Sequence, residues 1–270
     1  MNKKLKIMTQ ELNKQVAYVV LSCDPYSDIW DTYGELFKRH WPDCPYDFYL
    51  ASHQKTFEKY GFKSILIGED KSWSHGLLVV LDYIQKKGYS YVMIAFDDFL
   101  ISKKVDTEYV SSAVGAFISE EGECLRFDPI RTSRCAKYNK YYGKMHDKVP
   151  YRVTLGFTLW NIEVLKKITV DGESAWQFEK NATERSFEYK AFFCTWKHPF
   201  NFINLINKRK LDITEYHKLK KLIPEAKYDR EQVFVLKERL KGYLLCTFLR
   251  FYPVKHQYTF HKFFTKPINI

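Results

Sequence analysis

Residues 72–99 read SWSHGLLVVLDYIQKKGYSYVMIAFDDF, and their two halves obey different periods. In the first, Leu77, Leu78, Leu81 and Ile84 share one helical face. Ser72 or Ser74 stands where a side-chain oxygen can cap the open N–H groups of a first turn, and Gly88 supplies the stop. In the second, Tyr89–Phe96 is short and mostly apolar, the pattern of a buried strand. It ends abruptly in Asp97-Asp98. A helix running into a buried strand is the unit of a parallel sheet covered by helices, and such sheets bind ligands at the carboxyl ends of their strands.

The flanking sequence extends this pattern. Val16–Ser22 is another apolar run, closed by Cys23-Asp24-Pro25. Ile29, Tyr33, Leu36 and Phe37 mark a helix within 26–40, residues 46–52 and 63–67 read as strands, and 106–119 as a helix. The stretch 122–150 reads as an irregular basic and aromatic loop holding Arg126, Arg131 and Arg134. Tyr151–Leu159 reads as a strand, Trp160-Asn161 opens a helix, and Glu173 or Ser174 opens another that carries Trp176, Phe178 and Glu179. The expected class is α/β, a mostly parallel sheet flanked by helices, with a basic helical C-terminal appendage. The expected domain is 1–215, with halves of about 15–120 and 121–215, followed by the appendage at 216–270.

Composition narrows the functional classes. The 270 residues are 46% hydrophobic and 17% aromatic, which excludes disorder over most of the length. The net charge is +11, and nine of those charges fall within 201–270. The six cysteines include no CxxC pair and no zinc-like cluster with histidine. Lys3, Lys4 and Lys6 are not followed by an apolar stretch of signal-peptide type, and the run Tyr243–Leu249 is too short to span a bilayer. The expectation is a cytoplasmic protein, or one held peripherally on the inner face of the cell membrane.

Polar residues recur at the expected strand ends: Ser22-Cys23-Asp24, Ser52-His53, Glu69-Asp70 and Asp97-Asp98. A lone acid after a strand is commonly a turn former; several at one edge suggest a site. Adjacent buried carboxylates repel, and Mg²⁺ or Mn²⁺ sharing them with diphosphate oxygens removes that cost. Neither GxxxxGKS nor GxGxxG follows the first strand, and GxSxG and HExxH are absent, which withdraws support from common ATPase, dehydrogenase, hydrolase and zinc-protease readings.

Taken together, these features resemble a GT-A fold bacterial glycosyltransferase of the polysaccharide or O-antigen type. The resemblance rests on Ser72–Leu100, on Gly156–Asn161, and on Gly172-Glu-Ser-Ala-Trp-Gln-Phe-Glu179. The sequence departs from the family pattern in having Asp-Asp rather than D-x-D, Ala175 where Pro is usual and Gln177 where Glu is usual. The resemblance implies transfer of a sugar from a nucleoside-diphosphate sugar to a saccharide or lipid-linked (polyprenyl) saccharide, inverting and metal-dependent. Asp97 and Asp98 would hold Mn²⁺ or Mg²⁺. Ser22, Asp24, Asp70, Lys71 and Trp73 would join them at the donor, and Trp160 and Trp176 would line the acceptor. Glu173 or Glu179 would remove the acceptor's proton, Glu173 being preferred. The basic tail, 231–264, fits an anionic membrane, a nucleic acid, or a helix packed on the core. A non-catalytic nucleic-acid-binding protein is the rival reading, and it explains neither Asp97-Asp98 nor the 173–179 helix.

Overall fold

The computed structural model describes residues 11–129 and 134–264; Lys3, Lys4, Lys6 and Arg131 lie outside them. In chain order the elements are β1 (Val16–Leu21), α1 (Trp30–His40), β2 (Asp47–Ser52), β3 (Lys63–Leu66), α2 (Trp73–Lys86), β4 (Tyr91–Phe96), β5 (Phe99–Ile101), α3 (Thr107–Ser119), β6 (Cys124–Arg126), β7 (Ala136–Lys137) and β8 (Tyr142–Lys144). There follow β9 (Thr158–Asn161), α4 (Ile162–Ile168), α5 (Ala175–Arg185), β10 (Phe192–Thr195), β11 (Phe202–Asn204), β12 (Ile206–Asn207), β13 (Lys210–Asp212), α6 (Ile213–Leu222), β14 (Gln232–Val233), α7 (Leu236–Phe251) and α8 (Val254–Phe264).

Nine strands form one sheet in the order β3-β2-β1-β4-β9-β6-β10-β8-β7. β1 pairs in parallel with β2 on one side and β4 on the other, whereas β9 runs antiparallel to both β4 and β6. The α/β class and the mostly parallel, helix-covered sheet are as expected. Alternation along β1 shows why its apolar run is unbroken. Val16, Tyr18 and Val20 face a cluster with α1 and α3, while Ala17, Val19 and Leu21 face a second cluster with α2, α4 and α5.

Helix ends follow the local chemistry. Ser72 caps α2 by accepting the His75 N–H at 3.0 Å, and Gly88 lies beyond its last turn at φ +94°, where a side chain is disfavoured. Ser174 and Gln177 make a reciprocal capping box at the start of α5. Asn161 caps α4 by accepting the Val164 N–H at 3.2 Å.

Three expectations are corrected. Within 122–150, Cys124–Arg126 is an interior, buried strand and Tyr142–Lys144 another; three residues are too few to show a period. The strand near 151–159 is Thr158–Asn161, so Trp160 lies in β9 and not in a helix. The domain break at 215/216 falls inside α6. Residues beyond it belong to the body: the Tyr228 hydroxyl lies 2.6 Å from Thr32 Oγ1, and Arg39 donates to the Leu222 carbonyl at 3.0 Å. Among the described residues α7 stands away, with Leu249 its single buried residue, while α8 returns to the end of α5, where Tyr258 donates to Glu184 and its ring lies 4.9 Å from that of Phe187 just beyond the helix.

Candidate functional site

The chain leaves β1 toward β2 and β3 and then crosses back to lay β4 on the other side of β1. The carboxyl ends of β1 and β4 therefore part at a topological switch point, the crevice such sheets offer to ligands. Leu21 pairs with Phe96, which sets Ser22 beside Asp97. Ser22 Oγ donates to Asp97 Oδ2, and the Trp30 indole N–H donates to Ser22 Oγ at 2.7 Å. Asp97 is only 5% exposed. Burial first, and the neighbouring Asp98 charge second, push its carboxyl well above the ordinary range, against the opposing help of Ser22 and Trp30. Burial likewise raises Asp98 to about 7. The same charges reach further: burial and Asp97 raise the Cys23 thiol to about 11, and burial with Asp98 and Asp97 raises the Tyr26 phenol to about 12.

Cations approach this acidic pair from the C-terminal third. Leu205 N–H donates to the Asp98 carbonyl at 2.9 Å, so the β12–β13 hairpin is fastened to the end of β4. Its two-residue turn is Lys208-Arg209, with φ of 48° and 68°, a conformation usually given to Asn-Gly. Non-glycine residues there cost on the order of 1 kcal/mol each. The Arg209 charge is felt at Cys23. Arg230 donates to both oxygens of Asp28, to the Pro25 carbonyl at 2.8 Å and to the Arg209 carbonyl at 3.2 Å, and its guanidinium lies 4.6 Å from the centre of the Tyr26 ring. It draws down the carboxyls of both Asp97 and Asp98. Sequence reading missed Arg209 and Arg230, because the only signal was excess basic charge spread over seventy residues.

The other expected donor residues lie along the same edge. Asp24 accepts the backbone N–H groups of His53, Gln54 and Lys55 at 3.1, 3.1 and 3.2 Å, which hold its carboxyl below its usual value despite burial. Asp70 meets His53 Nε2 at 3.3 Å. Lys71 is exposed. Trp73 is half-buried and packs on Phe178, 5.4 Å between ring centres.

The two candidate bases have different surroundings. Glu173 is ion-paired with Arg185 at 2.6 Å and accepts from Asn181 at 2.7 Å; burial opposes its charge, but these partners outweigh it and keep its carboxyl low. Its backbone is tied to α2 through Ser74, so it braces α5 against α2. Glu179 accepts from Thr154 Oγ1 at 2.9 Å and from the Leu155 N–H at 3.1 Å, and burial raises its carboxyl against those bonds and the Arg126 charge. The next residue, Gly156, lies against the Phe99 ring, where a Cβ would come within 2.6 Å of it. Glu179 is thus held by the segment 154–155, whose neighbour Gly156 meets Phe99, the residue after Asp97-Asp98. Trp176 is 78% exposed at the start of α5. Trp160 corrects the expected acceptor contact: it is wholly buried, its indole N–H donating to Thr158 Oγ1 at 2.9 Å, and has no surface left for a sugar.

No cluster of three His, Cys, Asp or Glu side chains suited to a metal occurs among the described residues. The adjacent Asp97 and Asp98 are the carboxylates that would hold Mg²⁺ or Mn²⁺ in the manner of sites completed by substrate phosphate; burial destabilises both as anions, and Arg230 only partly offsets it. A hollow of about 250 Å³ bordered by Asn13, Val16, Tyr46 and Tyr89 lies at the opposite, amino edge of the sheet.

The sequence matches no family model and no curated protein. Solved structures similar to it include a UDP-glucose pyrophosphorylase complexed with UDP-glucose (7% identity, 78% of this chain and 98% of that one, TM-score 0.49). A cytidylyltransferase from Leptospira borgpetersenii serovar Hardjo-bovis (12% identity, 87% and 97%, TM-score 0.47) is another. A third is the mannosyltransferase PcManGT from Pyrobaculum calidifontis in complex with GDP-Man and Mn²⁺ (10% identity, 91% and 75%, TM-score 0.45). Likeness at this level carries no activity across; the chemistry must come from the residues themselves.

Proposed function

We propose that this chain is a metal-dependent glycosyltransferase that uses a nucleoside-diphosphate sugar. The carrying observation is electrostatic: at one crevice, burial destabilises the charge on two adjacent carboxylates, Asp97 and Asp98, the Arg230 charge acts on both, and the Arg209 charge acts on neighbouring Cys23. A divalent metal carrying a diphosphate satisfies both halves at once. Asp98, the more open of the two, with Asp97 behind it, would hold the metal, which supplies positive charge to the departing nucleoside diphosphate. Ser22 and Trp30 orient Asp97, and Arg209 and Arg230 face the phosphates. Glu179, half-buried and with its carboxyl raised, takes the proton of the acceptor hydroxyl, a role it is freer to play than Glu173, which is bound to Arg185. The exposed Trp176 offers a flat apolar face to an acceptor saccharide, free or lipid-linked.

The test is a thermal-shift panel of sugar nucleotides and nucleoside triphosphates with Mn²⁺, followed by analysis of the product released when saccharide acceptors or sugar phosphates are added. Glycosyl transfer gives nucleoside diphosphate, whereas nucleotidyl transfer from a triphosphate gives pyrophosphate. Stabilisation by a sugar nucleotide with diphosphate release supports the reading; pyrophosphate release, or no response to any member of the panel, overturns it.

A further inference from the structure

We infer that α7 is an interfacial helix that seats the protein on an anionic lipid surface. Its residues Leu236, Leu240, Tyr243, Leu244, Phe248 and Phe251 are all exposed, the least of them at 49%. At 100° per residue they fall within an arc of roughly 140°. Lys237 falls within the arc near one border, Lys241 lies just beyond that border and Arg250 just beyond the other, and the helix's one acid, Glu238, points the opposite way. Leu249, on the inner side, is fully buried. The helix is therefore turned with its apolar face outward, contrary to what water alone favours.

That orientation is held by specific contacts. Arg239 pairs with Asp212 and Glu215, both at 2.6 Å, which sets the rotation of α7 about its axis. The two acids are buried, so the pairing is not a loose surface association. α8 folds back beneath: Gln257 donates to the carbonyls of Leu249 and Tyr252 at 2.7 and 3.0 Å and Phe260 meets Phe248 at 5.1 Å, while the rest of the stripe stays exposed among the described residues.

Charge decides among the occupants. A second copy meeting stripe to stripe would bring two cationic borders together with no acid on that face to offset them. A nucleic acid would set leucines against phosphates. An anionic bilayer accepts the aliphatic and aromatic side chains to a depth of roughly 5–10 Å and meets the lysines and arginine with its headgroups. The same contacts link the helix to the crevice: Asp212 N–H donates to Leu205, and Leu205 N–H to the Asp98 carbonyl, at 3.0 and 2.9 Å.

The test uses the full chain in co-sedimentation with phosphatidylcholine vesicles and with vesicles that are roughly one-third phosphatidylglycerol. The protein pellets with the anionic vesicles, and less so in high salt. Leu240→Glu/Leu244→Glu lowers the partition coefficient at least about tenfold, since each change removes a buried aliphatic group and adds a like-signed charge. Lys237→Glu/Lys241→Glu, a milder change at exposed positions, abolishes the preference for anionic lipid. Circular dichroism melts check that both variants stay folded. Vesicle binding unchanged in both folded variants overturns the proposal. So does self-association that the leucine variant dissolves, or oligonucleotide binding without vesicle binding. Sugar-nucleotide binding, read in solution, is independent of each of these outcomes, so failure here leaves the catalytic reading standing and the reverse.

Discussion

Arg230 donates to both carboxylate oxygens of Asp28, at 2.7 and 2.6 Å, across 202 positions of sequence. The bond closes the C-terminal third of the chain onto the loop that follows β1, beside Tyr26 and within electrostatic reach of Asp97 and Asp98. A cation that guards the crevice is thus also a clamp, and the two tasks are separable. Asp28→Ala releases the clamp but keeps the charge, whereas Arg230→Ala removes both. We expect Arg230→Ala to raise KM for the sugar nucleotide about tenfold or more, and Asp28→Ala to raise it less. A double-mutant cycle on stability should give a coupling of about 1 kcal/mol, as for a well-formed pair near the surface.

Asp98 sets a pH dependence of stability with a sign opposite to that of a salt-bridged carboxylate. Its folded carboxyl lies at about 7, above its ordinary 3.8, so between these values the native state binds a proton that the unfolded chain does not. In metal-free buffer, stability should be fully present below about pH 4 for this group and fall as pH rises to about 7, by an amount of the order of a few kcal/mol. Asp98→Asn should flatten that slope in urea titrations from pH 4 to 8. A slope as steep in the variant as in the parent would assign the proton elsewhere.

Protons and metal compete for the same oxygens. Mn²⁺ should therefore raise Tm more at pH 8 than at pH 6, and the difference should vanish in Asp98→Ala while the protein remains folded. Scanning calorimetry with and without the metal measures it.

The two glutamates should behave differently. Glu179→Gln keeps the bonds' geometry but removes the proton acceptor, and kcat should fall roughly a hundred- to ten-thousand-fold with donor affinity little changed. Because burial raises Glu179, the parent's rate should climb with pH as that carboxyl ionises. Glu173→Gln should instead cost about 1–2 kcal/mol of stability through the weakened Arg185 pair, with kcat per folded molecule nearly intact. The reverse pattern would return the base to Glu173.

Two tryptophans make a parallel contrast. Trp160→Ala opens a cavity in a filled core and should cost about 3–5 kcal/mol. Trp176→Ala touches an exposed position and should move stability by less than about 0.5 kcal/mol, yet raise KM for the acceptor. Chemical denaturation and acceptor titrations read the two effects separately.

What the sequence disclosed and what it withheld divide along physical lines. The doubly buried β1 and β4, the capped α2 and the carboxylates after β4 were legible because period, capping and strand length are local properties. β9 was not, since nothing within four residues tells a strand which way its neighbours run. The burial of Arg126 and the fate of Glu173 were hidden for a related reason: Cys124–Arg126 is too short to display alternation, and Arg185, twelve residues after Glu173 at the far end of α5, is not a partner that sequence spacing indicates. Arg209 and Arg230 were legible as charge and illegible as location. Their approach depends on a hairpin and a clamp that long-range pairing creates.

Asp24 is held by three main-chain N–H groups and not by the side chains of the residues that supply them. Every amino acid but proline brings that donor, so His53, Gln54 and Lys55 can be exchanged without loosening the carboxylate they grip. The loop is consequently a place where substitutions can accumulate at little structural expense. A lineage of such chains could diversify the chemistry at the mouth of the crevice while its frame stayed put, and only a proline at one of these three positions would be purged for structural reasons.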